Sequence, residues 1–284
     1  CISSTEVERV LALAGVSTPA ATEAWFEGAR RKAAASNRPL VLDAVAEEIA
    51  PPSSLPAIEL RHLAFHELGH ALAALEVGLS VEQVSIVQRG PFGGVTRTRG
   101  NASVLRLSDL EDRVVMMLAG RAADELLGAG ADAGSMNDIE QSTEMLLTAR
   151  VSYGLNDSLL FRAGPNGVRE ILALDPALRR DVEADLKRLM TRARGVVERH
   201  RDAIGRMADL LVERRVLSSD EFLSAVDRLG TTVEKMDRPT AAPGQVAAPL
   251  LGPAADRSGV TSFDMSDEHV EIRPAKATRQ QLPD

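Results

Sequence analysis

Apolar residues recur at spacings of three and four along residues 57–78, at Leu60, Leu63, Ala64, Leu68, Ala71, Leu72 and Leu75. That is the period of one helical face, and it predicts a helix ended by Gly78. Upstream, Thr18 followed by Pro19 is a helix-start signal, and the pattern runs through Trp25, Phe26, Ala29 and Ala33 to about Ser36. Asn37 and Pro39 end it. Leu40-Val41-Leu42 reads as a short extended piece, and Asp43 as the cap of another short helix. Pro51, Pro52, Ser53, Ser54 and Pro56 mark a linker.

After Gly78 the period changes. Val84 and Ile86 alternate with polar neighbours, which predicts short strands over Val81–Val87 and Val95–Thr98, joined through Gly90, Pro91, Gly93 and Gly94. Ser108 and Glu111 have capping-box spacing and predict a helix from there to about Leu127. Ser135 and Asp138 repeat that spacing after the loop 128–134 and open a helix ending near Gly154. A long amphipathic helix is expected from Pro176 to about His200, and another over 203–215. Ser218 and Glu221 open a last helix that ends near Gly230. From Thr231 onward no apolar period survives, and Pro, Ala, Gly, Thr and Ser dominate. Residues 231–284 therefore read as a largely disordered tail.

Composition supports a mainly α fold with a small β hairpin or sheet. Hydrophobic residues make up 44% of 284 residues and aromatics only 3%, so the core must rest on Leu, Val, Ile, Ala and Met, a mix that favours helices. The formal net charge of −8 makes the chain a poor nucleic-acid binder through its overall field. No apolar run approaches the roughly 18 residues needed to cross a bilayer, and no signal-peptide pattern is present. Cys1 is the sole cysteine, which precludes an intramolecular disulfide. A first residue other than Met suggests a piece of a longer protein.

Candidate chemistry sits on the first periodic helix. His66 and His70 are four apart and so lie on one face, within reach of a single metal ion. Imidazole nitrogen suits zinc, and a catalytic zinc keeps a position open for water. Glu67 is beside them, near the metal without being needed as a ligand, and fits the role of general base in peptide-bond hydrolysis. Three of the chain's five histidines stand apart from this pair: His62, His200 and His269 read as surface positions. A third ligand is required. A downstream His is excluded by Ala73 and Glu76, which replace the Gly and His of one common extended pattern, and Glu76 lies on another side of the helix. Acidic residues of later helices remain: Asp124, Glu125, Asp138 and Glu140. Asp124 and Glu125 read as ordinary helix carboxylates. Asp138, in a first helical turn, suits a ligand and a cap equally.

Several segments in one order resemble the FtsH family of ATP-dependent zinc proteases. The metal helix, Ala64-Phe65-His66-Glu67-Leu68-Gly69-His70-Ala71, is similar to the family's Ala-Tyr-His-Glu-Ala-Gly-His-Ala. Arg89-Gly90 and Gly93-Gly94-Val95-Thr96 resemble its Arg-Gly…Gly-Gly-Val-Thr stretch. Ala119-Gly120-Arg121-Ala122-Ala123-Asp124-Glu125 resembles Gly-Gly-Arg-Ala-Ala-Glu-Glu, and Ala133 to Ile139 resembles the Gly-Ala-Ser-Asn-Asp-Leu segment that supplies the third zinc ligand. Tyr153-Gly154-Leu155 stands where the family has Tyr-Gly-Met. The resemblance implies a zinc endopeptidase domain over 57–230, with His66, His70 and Asp138 as ligands and Glu67 as base. It also implies that an extended substrate adds along Gly93, Gly94, Val95 and Thr96.

Residues 1–50 resemble the small helical lid that ends an AAA+ ATPase module, most closely over Ala24 to Glu48. The chain has no phosphate loop, so ATP and Mg²⁺ would belong only to an ATPase module upstream. The resemblance further implies a homo-hexamer acting on unfolded polypeptides, bacterial and facing the cytoplasm, with no nucleic-acid partner. Any membrane anchor would lie in a segment outside this chain. Two other readings are a catalytically silent assembly module and a stand-alone metallopeptidase. The intact Glu67 speaks against the first, and the lid-like start against the second.

Overall fold

The computed structural model describes residues 18–88, 93–100, 106–156, 158–230 and 270–271, together with five helical positions between 7 and 14. The expected mainly α fold with a small sheet is found. In chain order the elements are α1 (Pro19–Ala35), α2 (Leu42–Ile49), α3 (Ala57–Glu76), β1 (Ser80–Ser85) and β2 (Val95–Arg99). Then come α4 (Leu107–Leu127), α5 (Met136–Val151), α6 (Val168–Leu174), α7 (Pro176–Arg199), α8 (Arg201–Arg214), β3 (Val216–Ser218), α9 (Ser219–Arg228) and β4 (Val270–Glu271). Among the described residues, no helix is long and apolar enough to cross a membrane.

Local signals set many of these boundaries. Thr18 caps α1 by accepting from the Ala21 N–H, with Pro19 in the first turn. At α9 the Ser218 hydroxyl accepts from the Glu221 N–H, and the Glu221 carboxylate accepts from the Ser218 N–H, a complete capping box. Other starts differ from the expectation. α4 begins after Arg106, and Asp109, not Glu111, returns a carboxylate to the cap N–H at 2.9 Å. Leu42 is already helical, and Asp43 lies in the first turn of α2, with Val41 at the cap position. A carboxylate one or two residues inside the start still favours the positive helix end, so both positions satisfy the same electrostatics. The short α6 and the strand β3 had no signal of their own.

Helix α3 is the centre of the main core. It packs on α4, α8 and β1, and α4 in turn packs on α5 and α7. Leu68, Leu72, Met116, Met117, Leu147, Leu189, Ile204, Met207, Leu211 and Phe222 fill the interior. α3 and α4 approach closely at Gly69. A Cβ there would lie 2.5 Å from the Ala119 carbonyl oxygen and 2.9 Å from Ala123 Cβ. The sheet has the order β3-β1-β2-β4 with antiparallel neighbours throughout. β2 opposes β1 from Ser80↔Arg99 to Ser85↔Val95, with a bulge between Val81 and Gln83. A second, smaller cluster joins Leu13, Ala29, Val45, Ala46 and Ile49 of the N-terminal helices to Val87 and Val216 at the sheet.

His200, expected at the surface, is buried, because it has a partner 124 positions away. Its Nε2 lies 2.6 Å from Glu76 Oε1, and Arg199 donates to both Glu76 oxygens. This cluster ties the end of α3 to the α7–α8 junction. Burial alone would raise the Glu76 carboxyl, but the His200 and Arg199 hydrogen bonds outweigh it and set it below its ordinary value. The folded state thus binds this proton less readily than the unfolded chain. The stabilisation is full above the unfolded value of 4.5 and is lost as pH falls through the lower folded value. Glu76→Gln should lower stability by about 2 kcal/mol at pH 7. In urea titrations that deficit should shrink progressively below pH 4.5. A deficit that does not change with pH would remove the charge from the account.

Candidate metal centre

His66, Glu67 and His70 occupy the middle of α3 and are all buried. Isolated buried charges and imidazoles are costly unless they are paired, so each group's partners are informative. His66 Nδ1 lies 2.8 Å from Asp124 Oδ2, and His70 Nδ1 lies 2.9 Å from the Met116 carbonyl oxygen. Both partners belong to α4 and accept, so each Nδ1 carries the proton and donates. The two Nε2 atoms then face each other 3.0 Å apart, with the rings edge to face.

The third group comes from α5. Asp138 is buried, with Oδ2 at 3.4 Å from His66 Nε2 and 3.6 Å from His70 Nε2. Its side chain does not cap the helix. The cap position belongs to Ser135, whose hydroxyl donates to the Asp132 carbonyl and accepts from Arg121. Neither Asp138 oxygen has a hydrogen-bond partner. Among the described residues, His66, His70 and Asp138 are the one group of such side chains able to share a metal ion, with one ligand atom from each all lying within 4.8 Å of one another.

Three observations fit a cation here. Asp138 is an orphaned buried carboxylate pointed at two imidazole nitrogens. Gly120 leaves open the space between them: a Cβ on it would lie 2.6 Å from His70 Cε1 and 2.7 Å from His66 Nε2. The donor set, two imidazole nitrogens and a carboxylate oxygen, is a common one for zinc with a position left for water. The electrostatics agree. Burial would depress the His66 imidazole, but Asp124 and Asp138 outweigh it and hold it well above its ordinary value. Burial would likewise raise Asp138, yet His70 and His66 set it below the ordinary carboxylate range. The pocket favours positive charge between these groups, whether proton or metal.

Glu67 is placed differently. Thr96 of β2 donates to Glu67 Oε2 at 2.8 Å, while Oε1 has no partner. Burial pushes its carboxyl up to about 7, against the opposing pull of His66, His70 and the Thr96 bond. Gly94, at the entry to β2, passes so near that a Cβ would lie 2.9 Å from Glu67 Cδ. The stretch expected to line the substrate therefore runs beside the expected base, with Val95 half-buried and Thr96 buried. Arg89 and Gly90 lie outside the described residues, as does His269. Glu125 and Glu140 are apart from the centre and pair with arginines: Glu125 with Arg121 and Arg194, Glu140 with Arg169.

Asp124 is the residue that sequence reasoning missed. It reads there as an ordinary helix carboxylate, but it is buried and orients His66 from behind. No local spacing links positions 66 and 124, and only the packing of α3 on α4 reveals it. Such a partner fixes ring orientation and raises ligand basicity. Asp124→Asn should weaken zinc binding by about 10–100-fold, measured by competition with a chromophoric chelator. An unchanged affinity would mean that the bond does not orient the ligand.

Residues 55–225 match the model of Peptidase family M41. The chain is also similar to ATP-dependent zinc metalloproteases called FtsH. It is 33% identical over 172 residues to FtsH 2 of Symbiobacterium thermophilum, covering 57% of this chain and 29% of that one. Against FtsH of Thermus thermophilus it is 32% identical over 189 residues, covering 60% and 29%. Against the mitochondrial FTSH 10 of Arabidopsis thaliana it is 30% identical over 178 residues, covering 58% and 21%. The matches span less than a third of each of these relatives' own length.

Proposed function

The chain belongs to peptidase family M41, and from that premise we propose that it is a zinc endopeptidase that hydrolyses peptide bonds of unfolded proteins. The observation that carries this reading is the convergence of His66, His70 and Asp138 within 4.8 Å, beside a buried glutamate with one unpartnered oxygen.

His66, His70 and Asp138 would hold the metal. Bound there, zinc polarises a substrate carbonyl and lowers the pKa of water toward about 7. The remaining work falls to the chain's own groups. Glu67 Oε1 accepts a proton from the water whose oxygen attacks the scissile carbonyl carbon. It then gives that proton to the amide nitrogen as the C–N bond breaks. Thr96 holds the other carboxylate oxygen, so the free oxygen keeps its aim. Burial raises this carboxyl above its ordinary value, which suits a group that must both take and return a proton. An extended substrate would pair with the backbone of Gly93–Thr96, which explains a preference for unfolded chains, because folded ones rarely offer a free strand.

In the same reading the chain is the proteolytic portion of an ATP-dependent ring. ATP and Mg²⁺ would be used by a module preceding residues 1–50, and six copies would form a chamber facing the bacterial cytoplasm. The support is the lid-like pattern of residues 1–50 and the likeness to ATP-dependent zinc metalloproteases. The test uses the full chain loaded with about one zinc. Reduced casein should be cut at many positions, with activity lost to a chelator and restored by zinc. Intact casein beside a zinc-loaded chain would overturn the reading.

A further inference from the structure

The three side chains of the metal centre are not held alike. His66 and His70 are each fixed from behind by α4, through Asp124 and the Met116 carbonyl. Asp138 has no such support, since neither of its oxygens has a hydrogen-bond partner. Its aim at the two Nε2 atoms is therefore set by where the first turn of α5 is placed. That helix start has no side-chain cap. Between residues 128 and 137 the one buried residue is Ser135, three positions before Asp138. Its hydroxyl donates to the Asp132 carbonyl at 3.2 Å, and the Asp132 side chain accepts from the Gly134 N–H at 2.7 Å, which closes the turn on itself. From α4, Arg121 Nη1 donates to the same Ser135 hydroxyl at 3.2 Å.

We propose that Arg121 is a positioning residue for the metal centre: through Ser135 it fixes the turn that delivers Asp138. The inference deepens the proposed function and rests on its assignment of Asp138 as a ligand. Along α4, Met116, Gly120 and Asp124 follow at spacings of four and share the stripe that faces the histidines. Arg121 is one position round from Gly120 and reaches the start of α5 instead. Its Nε lies 3.3 Å from Glu125 Oε1, and Glu125 is held in turn by Arg194 of α7. The guanidinium is thus braced by one neighbour while it holds the other. Helix α4 sets all three ligands in this way, two by direct contact with the imidazoles and the third through one intervening hydroxyl. The precision matters, because a binding constellation has to be held within about 0.5 Å of its working geometry. A loop end free to shift would leave that geometry to be ordered at the moment of binding, at a cost in affinity.

The test reads zinc affinity in the full chain, by competition with a chromophoric chelator, and needs no catalysis. Arg121→Ala should weaken zinc binding about tenfold, the low end for a residue behind a ligand. Ser135→Ala, a smaller change, should cost about as much, and combining the two should add less than about twofold, because both break one link. The deciding comparison is made in Asp138→Ala, where the two histidines alone hold the ion weakly. There Arg121→Ala should change the affinity by less than about twofold, since the ligand through which it acts is gone. An equal loss with and without Asp138 would make Arg121 a general packing residue and overturn the inference, as would no loss in either chain. If Arg121→Ala fails to fold, Ser135→Ala carried through the same comparison decides the matter by the same outcomes. An Asp138→Ala chain that binds zinc as tightly as the native one would instead remove Asp138 from the metal, and the ligand assignment would fall together with the inference built on it.

Discussion

Glu67→Gln is expected to lower cleavage of reduced casein by about 10²–10⁴-fold while leaving about one zinc per chain. The substitution keeps the shape of the side chain, and the amide oxygen can still accept from Thr96. What it removes is the basic oxygen, Oε1, which in the native protein has no hydrogen-bond partner. The measurement pairs initial rates with metal content, because the two readouts separate the roles. Loss of both rate and zinc would make Glu67 part of the metal shell. Loss of neither would exclude it from proton transfer. The native rate should also fall at low pH as this carboxyl is protonated and can no longer accept from water, and that acid limb should vanish in the residual activity of the variant.

The second large effect is expected at a position with no functional group. Gly120→Ala should abolish zinc binding while preserving the helical circular dichroism signal. Inside α4 an alanine is ordinarily the better helix former, by about 1 kcal/mol. Here its methyl would stand 2.7 Å from His66 Nε2 and 2.6 Å from His70 Cε1, on the spot where the ligands converge. The substitution therefore sets local helix propensity against metal binding. Native-like zinc stoichiometry in this variant would show that the ion sits elsewhere. Gly69 is a useful contrast, because its added methyl would meet the Ala119 carbonyl and so disturb helix packing directly.

Much of this fold is legible from period and punctuation. α3 follows from its apolar spacing, α1 from Thr18 and Pro19, and α9 from a capping box that forms as written. The same rule misleads at α4, where three acidic positions, Asp109, Glu111 and Asp112, crowd the first turns and Asp109 serves the cap. It misleads again at α5, where Asp138 has the cap's spacing but turns inward to the histidines. Spacing could not choose between these fates, because the deciding partners come from another helix. The resemblance to a known family did choose. β3 was illegible for a different reason: three residues cannot display a period of two, and β1 makes them a strand by pairing with them. His200 looked solvated because its type is polar and its partner, Glu76, is remote in sequence. Most of the proposed tail, 231–269 and 272–284, lies outside the described residues, and within it only Val270–Glu271 is described, as a strand.

The back nitrogens of both histidines are tied to α4, one through a carboxylate and one through a backbone carbonyl. Their tautomers and ring angles are thus set when α3 packs on α4, before any ion arrives. Most of the entropy of ordering a chelator has then been spent in folding. Zinc enters a socket already shaped for it, so the empty protein should keep its fold and differ from the loaded one mainly by mass action. In a cell that runs short of zinc, such a protein would wait intact as an idle enzyme, ready to resume work when metal returns, without a new round of folding.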